Sequence, residues 1–199
     1  MQELASHPDV LATTNLPEPY PDDGAITWIE AVQEQREAGT EYPFAIVNAT
    51  DTLVGVTGLR DVTDERAEVG FWIGRPYWNR GYATAGTRRL LSFAFDELEL
   101  ASLFARPLKR NAPSRRVLEK LGFTAVGEET HEHPKWTADD PVVRYVLSRR
   151  DGAFRLSGRA NTSSSPNASN AKARSRRVPP AAYPRFQYGL PIQKPTSAR

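Results

Sequence analysis

The stretch from Ala67 to Ala85, AEVGFWIGRPYWNRGYATA, carries the chain's most informative chemistry. An extended segment ends at Ile73, Pro76 interrupts it, and a helical pattern opens after Arg80 and Gly81. The first N–H groups of a helix have no intrahelical partner, and the helix dipole favours an anion beside them. Gly81 brings no side chain to obstruct a phosphate, Ala83 keeps a nearby position small, and Arg80 adds positive charge. On local physics alone Gly81 reads equally as the turn before a helix. A second pair, Asn111 and Ser114, stands three residues apart at a helix entrance, which is capping spacing, and Ser114 reads there as a cap.

Two further groups can titrate near this segment. Strand alternation puts Glu68, Gly70, Trp72 and Gly74 on one face and Val69, Phe71 and Ile73 on the other. Glu68 is therefore a candidate general base if its face lines a cleft, and a structural or solvent-facing carboxylate otherwise. His131 and His133 sit beside Glu129 and Glu132, but no second cluster at ligand spacing accompanies them. They read as a solvated polar loop, and no metal is expected. Trp28, Trp72, Trp78 and Trp136 read as packing residues, with Trp72 and Trp136 also able to wall a cleft.

The elements that must position these residues follow from the apolar pattern. Asp22 or Asp23 can cap a helix from about Gly24 to Ala38, with Ile26, Ile29 and Val32 at helical spacing. Three strands follow, over about 43–49, 53–59 and 67–73, the first two joined by turn residues from Asn48 to Asp51. A helix runs from Gly81 through Ala94, with Leu90, Leu91 and Phe95 able to face a core. Ser102–Ala105 is a short strand and Ser114–Leu121 a helix stopped by Gly122. Phe123–Val126 and Val142–Leu147 are two antiparallel strands. The order helix, three strands, helix, strand, helix, two strands is an α+β arrangement around a mostly antiparallel sheet, not a doubly wound one.

This pattern fills residues 1–150 and stops. Residues 151–199 are rich in Ser, Asn, Arg and Pro without apolar periodicity, and are expected to be a disordered basic tail. From Ser157 onward the charged residues are Arg159, Lys172, Arg174, Arg176, Arg177, Arg185, Lys194 and Arg199, with no acidic partner. The chain's net charge is only +2, so the part before Ser157 carries an acidic excess. The basic pI thus belongs to the tail and is no nucleic-acid footprint on the folded part. The absence of cysteine excludes disulfides, a cysteine nucleophile and thiolate metal sites. No apolar run reaches membrane-spanning length and the N-terminal residues do not read as a secretion signal, so no membrane association and a cytoplasmic location are expected.

RGYAT at Arg80–Thr84, then Asn111-Ala112-Pro113-Ser114, then VLEKLGF from Val117 to Phe123, in this order and spacing, resemble the GNAT superfamily. The nearest pattern is its RimJ/RimL-like branch of ribosomal-protein N-acetyltransferases, and the similarity runs from about Leu4 to Leu147. The resemblance implies a splayed central sheet flanked by helices, with acetyl-CoA as co-substrate. Its pantetheine arm would lie beside Phe71, Trp72 and Ile73, and its pyrophosphate on the amides of Arg80, Gly81, Tyr82, Ala83 and Thr84. Asn111 would contact the cofactor and Ser114 would donate a proton toward the leaving thiolate. The implied reaction is acetyl transfer to a primary amine, a protein N-terminus or a small molecule, by direct attack in a ternary complex. The alternative is an acetyl-CoA-binding sensor with weak catalysis. The resemblance leaves a homodimer open and offers no nucleic-acid role.

The chain departs from that pattern where Trp78 replaces Gln or Arg, Asn79 replaces a common glycine, and Ala85 stands where Glu is frequent. It also begins late. Residues 1–16 show no strand, so the first edge strand of the family is expected to be missing and the domain to be N-terminally short.

Overall fold

The computed structural model describes residues 1–131 and 133–150. The expected tail lies outside these residues. Two short helices, α1 (Gln2–Ala5) and α2 (Pro8–Leu11), precede α3 (Gly24–Glu37). Then come β1 (Tyr42–Val47), β2 (Leu53–Arg60), β3 (Arg66–Ile73), α4 (Tyr82–Ser92), β4 (Ser102–Ala105), α5 (Ala112–Lys120), β5 (Thr124–Glu129) and β6 (Val142–Ser148). The six strands form one sheet in the order β1-β2-β3-β4-β6-β5, antiparallel except for β3 beside β4. This is the expected α+β fold. Among the described residues no strand precedes α3, so β1 is one edge of the sheet. No described helix is long and apolar enough to cross a membrane.

The parallel pair is short, and its shortness shapes the molecule. β3 and β4 register only from Arg66 opposite Ser102 to Glu68 opposite Phe104. Beyond that point the chain follows β6 instead. Pro107 has no N–H to continue a ladder, its carbonyl accepts from Val143 N at 3.0 Å, and Leu108 bridges to Val142. β3 meanwhile stays paired with β2 through Ile73 opposite Gly55. The sheet therefore splays after Glu68, and the β4-side edge of β3 from Val69 to Ile73 faces the opening.

The core fills one face of this sheet. Leu90, Leu91, Phe93 and Phe95 pack under β1–β4 with Leu59, Val69 and Leu103. Helix α4 approaches closely at Gly86, where a Cβ would lie 2.6 Å from the Ile46 side chain, so any larger residue would have to displace Ile46. A buried hydroxyl pair, Thr57 and Thr87 at 3.3 Å, ties the same helix to β2.

Several local expectations change. In α3 the buried residues are Ala25 and Val32, while Ile26 is 55% exposed, because the helix leans on the sheet through a neighbouring stripe. The chain after α4 runs on as a π-helical turn, Phe93–Glu97, rather than ending at Ala94. Helix α5 starts at Ala112, two residues early, and this moves the cap from Ser114 to Asn111. Asn111 Oδ1 accepts from Ser114 N at 3.2 Å. Residues 1–16 contain α1 and α2, which the sequence pattern does not announce.

Candidate active site

Helix α4 opens at Gly81, whose φ of +81° is a left-handed conformation that favours glycine. A Cβ built there would meet nothing within 4 Å, so the position faces open space. No side chain caps the helix and no acidic residue sits in its first turn. Its leading amides therefore point outward without a partner among the described residues, in a field that suits an anion. The loop before it is fixed from beneath. Trp78 donates its indole N–H to the Ile73 carbonyl at 2.6 Å and packs with Tyr77 and Tyr82 on a small cluster of Ile46, Val54 and Ile73. Asn79 takes φ +60°, a conformation asparagine tolerates better than most residues. These two departures from the family pattern thus leave the amide cradle in place. Ala85, exposed on α4, donates its N–H to the Gly81 carbonyl at 3.0 Å and lines neither of the two cavities that open into the splay.

Two cavities open into the splay. One, of about 550 Å³, runs from the α4 amides along Phe71–Ile73 to Asn111 and Ser114, with Arg116 and Lys120 on its far wall. The other, of about 380 Å³, is lined by Arg60, Glu68, Gly70, Arg106 and His131. Both are walled by Thr13, Thr14, Phe71, Trp72, Asn111 and Ser114. All eleven residues expected from the sequence thus border this pair of cavities. Phe71–Ile73, Arg80–Thr84 and Asn111 line the first, Glu68 the second, and Ser114 the junction between them. Ser114 is half-buried, and its Oγ makes no hydrogen bond to the described residues.

Glu68 is 1% exposed and held by two bidentate ion pairs. Arg60 donates from Nε at 3.1 Å and Nη2 at 2.9 Å, and Arg106 from Nε at 3.2 Å and Nη2 at 3.1 Å. Burial alone would raise its pKa. The hydrogen bonds and charges of Arg106 and Arg60 outweigh burial and hold the carboxyl below the ordinary glutamate value. With four donors on two oxygens it lacks the free lone pair and the raised pKa that favour a general base at neutral pH. This geometry is that of a structural carboxylate, the second of the two roles open to it.

His131 reaches the smaller cavity, unlike His133. Burial, His133 and the nearby arginines Arg106 and Arg60 hold its pKa below the ordinary histidine value. Its Nδ1 accepts from His133 N at 2.9 Å, so the neutral ring carries its proton on Nε2 and is a donor there. Among the described residues no group of three or more His, Asp or Glu is arranged to hold a metal ion.

No local sequence pattern announces the roof. Residues 11–18 cross over both cavities and are tied down by side chains from far along the chain. Lys135, whose side chain is only 12% exposed, donates from Nζ to the carbonyls of Leu11 at 2.7 Å and Leu16 at 3.0 Å and pairs with Glu18. Trp136 Nε1 donates to Asn15 Oδ1 at 2.8 Å, and Arg110 Nη1 to the Ala12 carbonyl at 3.0 Å. Trp136 thus stands one step behind the cleft, against His131, while Trp72 walls it directly. Thr13 and Thr14 lack any motif that could have singled them out.

Comparison with known proteins bears on this geometry. Residues 1–124 match the model of the acetyltransferase (GNAT) domain. The chain is 30% identical over 126 residues to N-acetyltransferase p20 of Bacillus licheniformis, covering 61% of this chain and 70% of that one. Among other relatives it spans as little as 38% of their length. Its fold superposes on spermidine N-acetyltransferase from Vibrio cholerae, solved with CoA and spermine, with a TM-score of 0.65. That match has 20% identity and covers 75% of this chain and 88% of the other. A putative ribosomal-protein-serine acetyltransferase from Vibrio cholerae matches with a TM-score of 0.57 at 24% identity, over 65% of this chain and 76% of that one. A splayed sheet, an open helix N-terminus at the splay and a domain match over most of the described residues lead to one assignment: the chain belongs to the GNAT family of acetyl-CoA-dependent N-acetyltransferases.

Proposed function

We propose that this protein transfers the acetyl group of acetyl-CoA to a primary amine by direct attack within a ternary complex. The observation that carries the reading is the junction of the two cavities at Phe71, Trp72, Asn111 and Ser114. Two substrates, one in each cavity, would meet there. On this reading the amides of Arg80–Thr84 hold the pyrophosphate, the splayed edge at Phe71–Ile73 carries the pantetheine arm, and Asn111 lines its inner end. Acetyl-CoA supplies the activated thioester.

The remaining chemistry falls to few groups. The amine must be neutral to attack. Glu68 is saturated and the Nδ1 of His131 is occupied, so the ammonium proton leaves through solvent in the smaller cavity. Ser114 Oγ, at the junction, donates toward the departing thiolate. Glu68 is a positioning residue that fixes Arg60 and Arg106 on the cavity wall. The acceptor is a protein N-terminal amine or a small-molecule amine. Initial-rate kinetics test the direct attack. Double-reciprocal plots at varied amine should intersect, whereas parallel lines would indicate an acetyl-enzyme and overturn it.

A further inference from the structure

The smaller cavity has a floor of bare backbone. Residues directly opposite one another in an antiparallel ladder share a face. Pro43, Gly58 and Gly70 make one such row across β1, β2 and β3. It lies between the row of Arg60 and Glu68 and the row of Val56 and Trp72, and all seven residues line the cavity. Two glycines side by side on strands about 5 Å apart leave a strip of sheet without side chains.

Glycine weakens a strand interior, and it commonly marks a bulge, a bend, or a close approach by backbone or ligand. The register of β2 on β3 runs unbroken from Gly55 opposite Ile73 to Arg60 opposite Glu68, so no bulge calls for either residue. Gly58 is explained by the fold: a Cβ there would lie 3.1 Å from the Cα of Pro43 and from the Tyr42 carbonyl oxygen. Gly70 is not. A Cβ built on it meets nothing within 4 Å, and its φ lies outside the left-handed range. Alanine would fit the fold at this position. What the missing side chain leaves open is the cavity itself.

The walls beside this floor are aromatic. Trp72 and, from α3, Trp28 are half-buried and line the cavity. Trp78 and Trp136 donate their indole N–H groups to protein acceptors, whereas Trp28 and Trp72 have no such partner among the described residues. Pro43 and Val56 continue the apolar surface. At roughly 3.3 Å per residue, Gly70 lies about 7 Å along β3 from Trp72, where the two cavities meet. A group lying over Gly70 and an amine at that junction are therefore joined by a short linker.

We infer that the acceptor is an arylalkylamine, a primary amine carried on a short linker from a flat apolar ring, and that Gly70 admits the ring. This rests on the smaller cavity being the acceptor site of the reading above. A flat ring can cover bare backbone and meet tryptophan with its face or edge. A side chain at position 70 would occupy the ring's place.

Ethylamine, hexylamine, 2-cyclohexylethylamine and 2-phenylethylamine test this with the full chain. Each is measured by acetyl transfer, with rates expressed per neutral amine so that basicity cancels, and by calorimetric binding in the presence of CoA. 2-Phenylethylamine should exceed ethylamine by about tenfold or more in kcat/KM and affinity, as expected for burying a ring. The thicker cyclohexyl ring and the flexible hexyl chain should rank below it. Gly70→Val suits a strand and should erase the ring preference. Ethylamine, which ends short of position 70, should be acetylated as before, and acetyl-CoA affinity should hold because Gly70 does not line the larger cavity. Gly70→Ala, whose methyl group meets no protein atom, should lose part of the preference and serves if the valine variant fails to fold. A cyclohexyl or hexyl amine ranking first, or a Gly70→Val that leaves the order intact or weakens every amine alike, overturns the inference. Transfer without ring preference also sinks it and leaves the acetyltransferase reading standing. Binding in the predicted order without transfer does the reverse.

Discussion

At Gly81 two properties coincide, a left-handed backbone and open space in front of the missing side chain. They can be separated by substitution. Gly81→Asn adopts a positive φ at modest cost and stays neutral, while Gly81→Asp adds a negative charge where the pyrophosphate is proposed to sit. Calorimetry should show Gly81→Asn binding acetyl-CoA more weakly but measurably, and Gly81→Asp not binding, with similar melting temperatures. Equal affinities for the two variants would remove the phosphate-site assignment. Ser114 can be tested with little structural confusion, since Asn111 does the capping and Ser114 Oγ has no partner among the described residues. Ser114→Ala should lower kcat by roughly 10²-fold with a small change in KM and melting temperature, as expected for a lost proton donor. A wild-type kcat in that variant would assign Ser114 to the cavity wall alone.

Glu68 makes a prediction about acid. Its folded pKa is depressed, so its ion pairs contribute stability that is complete above the ordinary glutamate value. That contribution is lost as pH falls through the lower folded value. Melting temperature should drop across that acidic window, and Glu68→Gln should flatten the drop. At neutral pH the same substitution removes the buried anion that both guanidinium groups bind and should cost about 3 kcal/mol or more. A variant with wild-type stability at neutral pH would mean that the arginines hold their places without the carboxylate.

Among the elements, those with local signals were legible from the chain. The strand period of β1–β3, the Gly81 and Gly122 boundaries and the apolar face of α4 all survive in the structure, because backbone preference and burial act there in the same direction. The turn into α4, where the pyrophosphate is proposed to sit, was legible for the same reason, and so was the placing of Asn111 and Ser114 at a helix entrance. What could not be read depends on contacts between distant residues. Lys135 reaches Leu11 and Leu16, and Arg106 reaches Glu68, through pairings that no local period encodes. The roof of the site belongs to this second group. Lys135→Met should release it. Amide exchange across 11–17 should quicken while β1–β3 stay protected, and KM should rise for amine and acetyl-CoA alike, because Thr13 and Thr14 wall both cavities. Unchanged exchange in that segment would show that Trp136 and Arg110 suffice to hold it.

For the molecule as a whole, the arrangement is one of sides. Core and α4 occupy one face of the sheet, and the splay after Glu68 opens a passage between two cavities of different character. One is bordered by helix amides and basic residues, the other by an arginine-carboxylate cluster beneath a tied-down roof. The expected basic tail lies outside the described residues. A coenzyme-binding sensor would need only the first cavity, whereas a transferase needs both and the junction between them. The most direct measurement is therefore thiol release from acetyl-CoA over a panel of amines, with the product identified by mass spectrometry. The account predicts amine-dependent release of CoA in step with an acetylated amine. Tight binding of acetyl-CoA, with release no faster in the presence of any amine than in buffer, would contradict it.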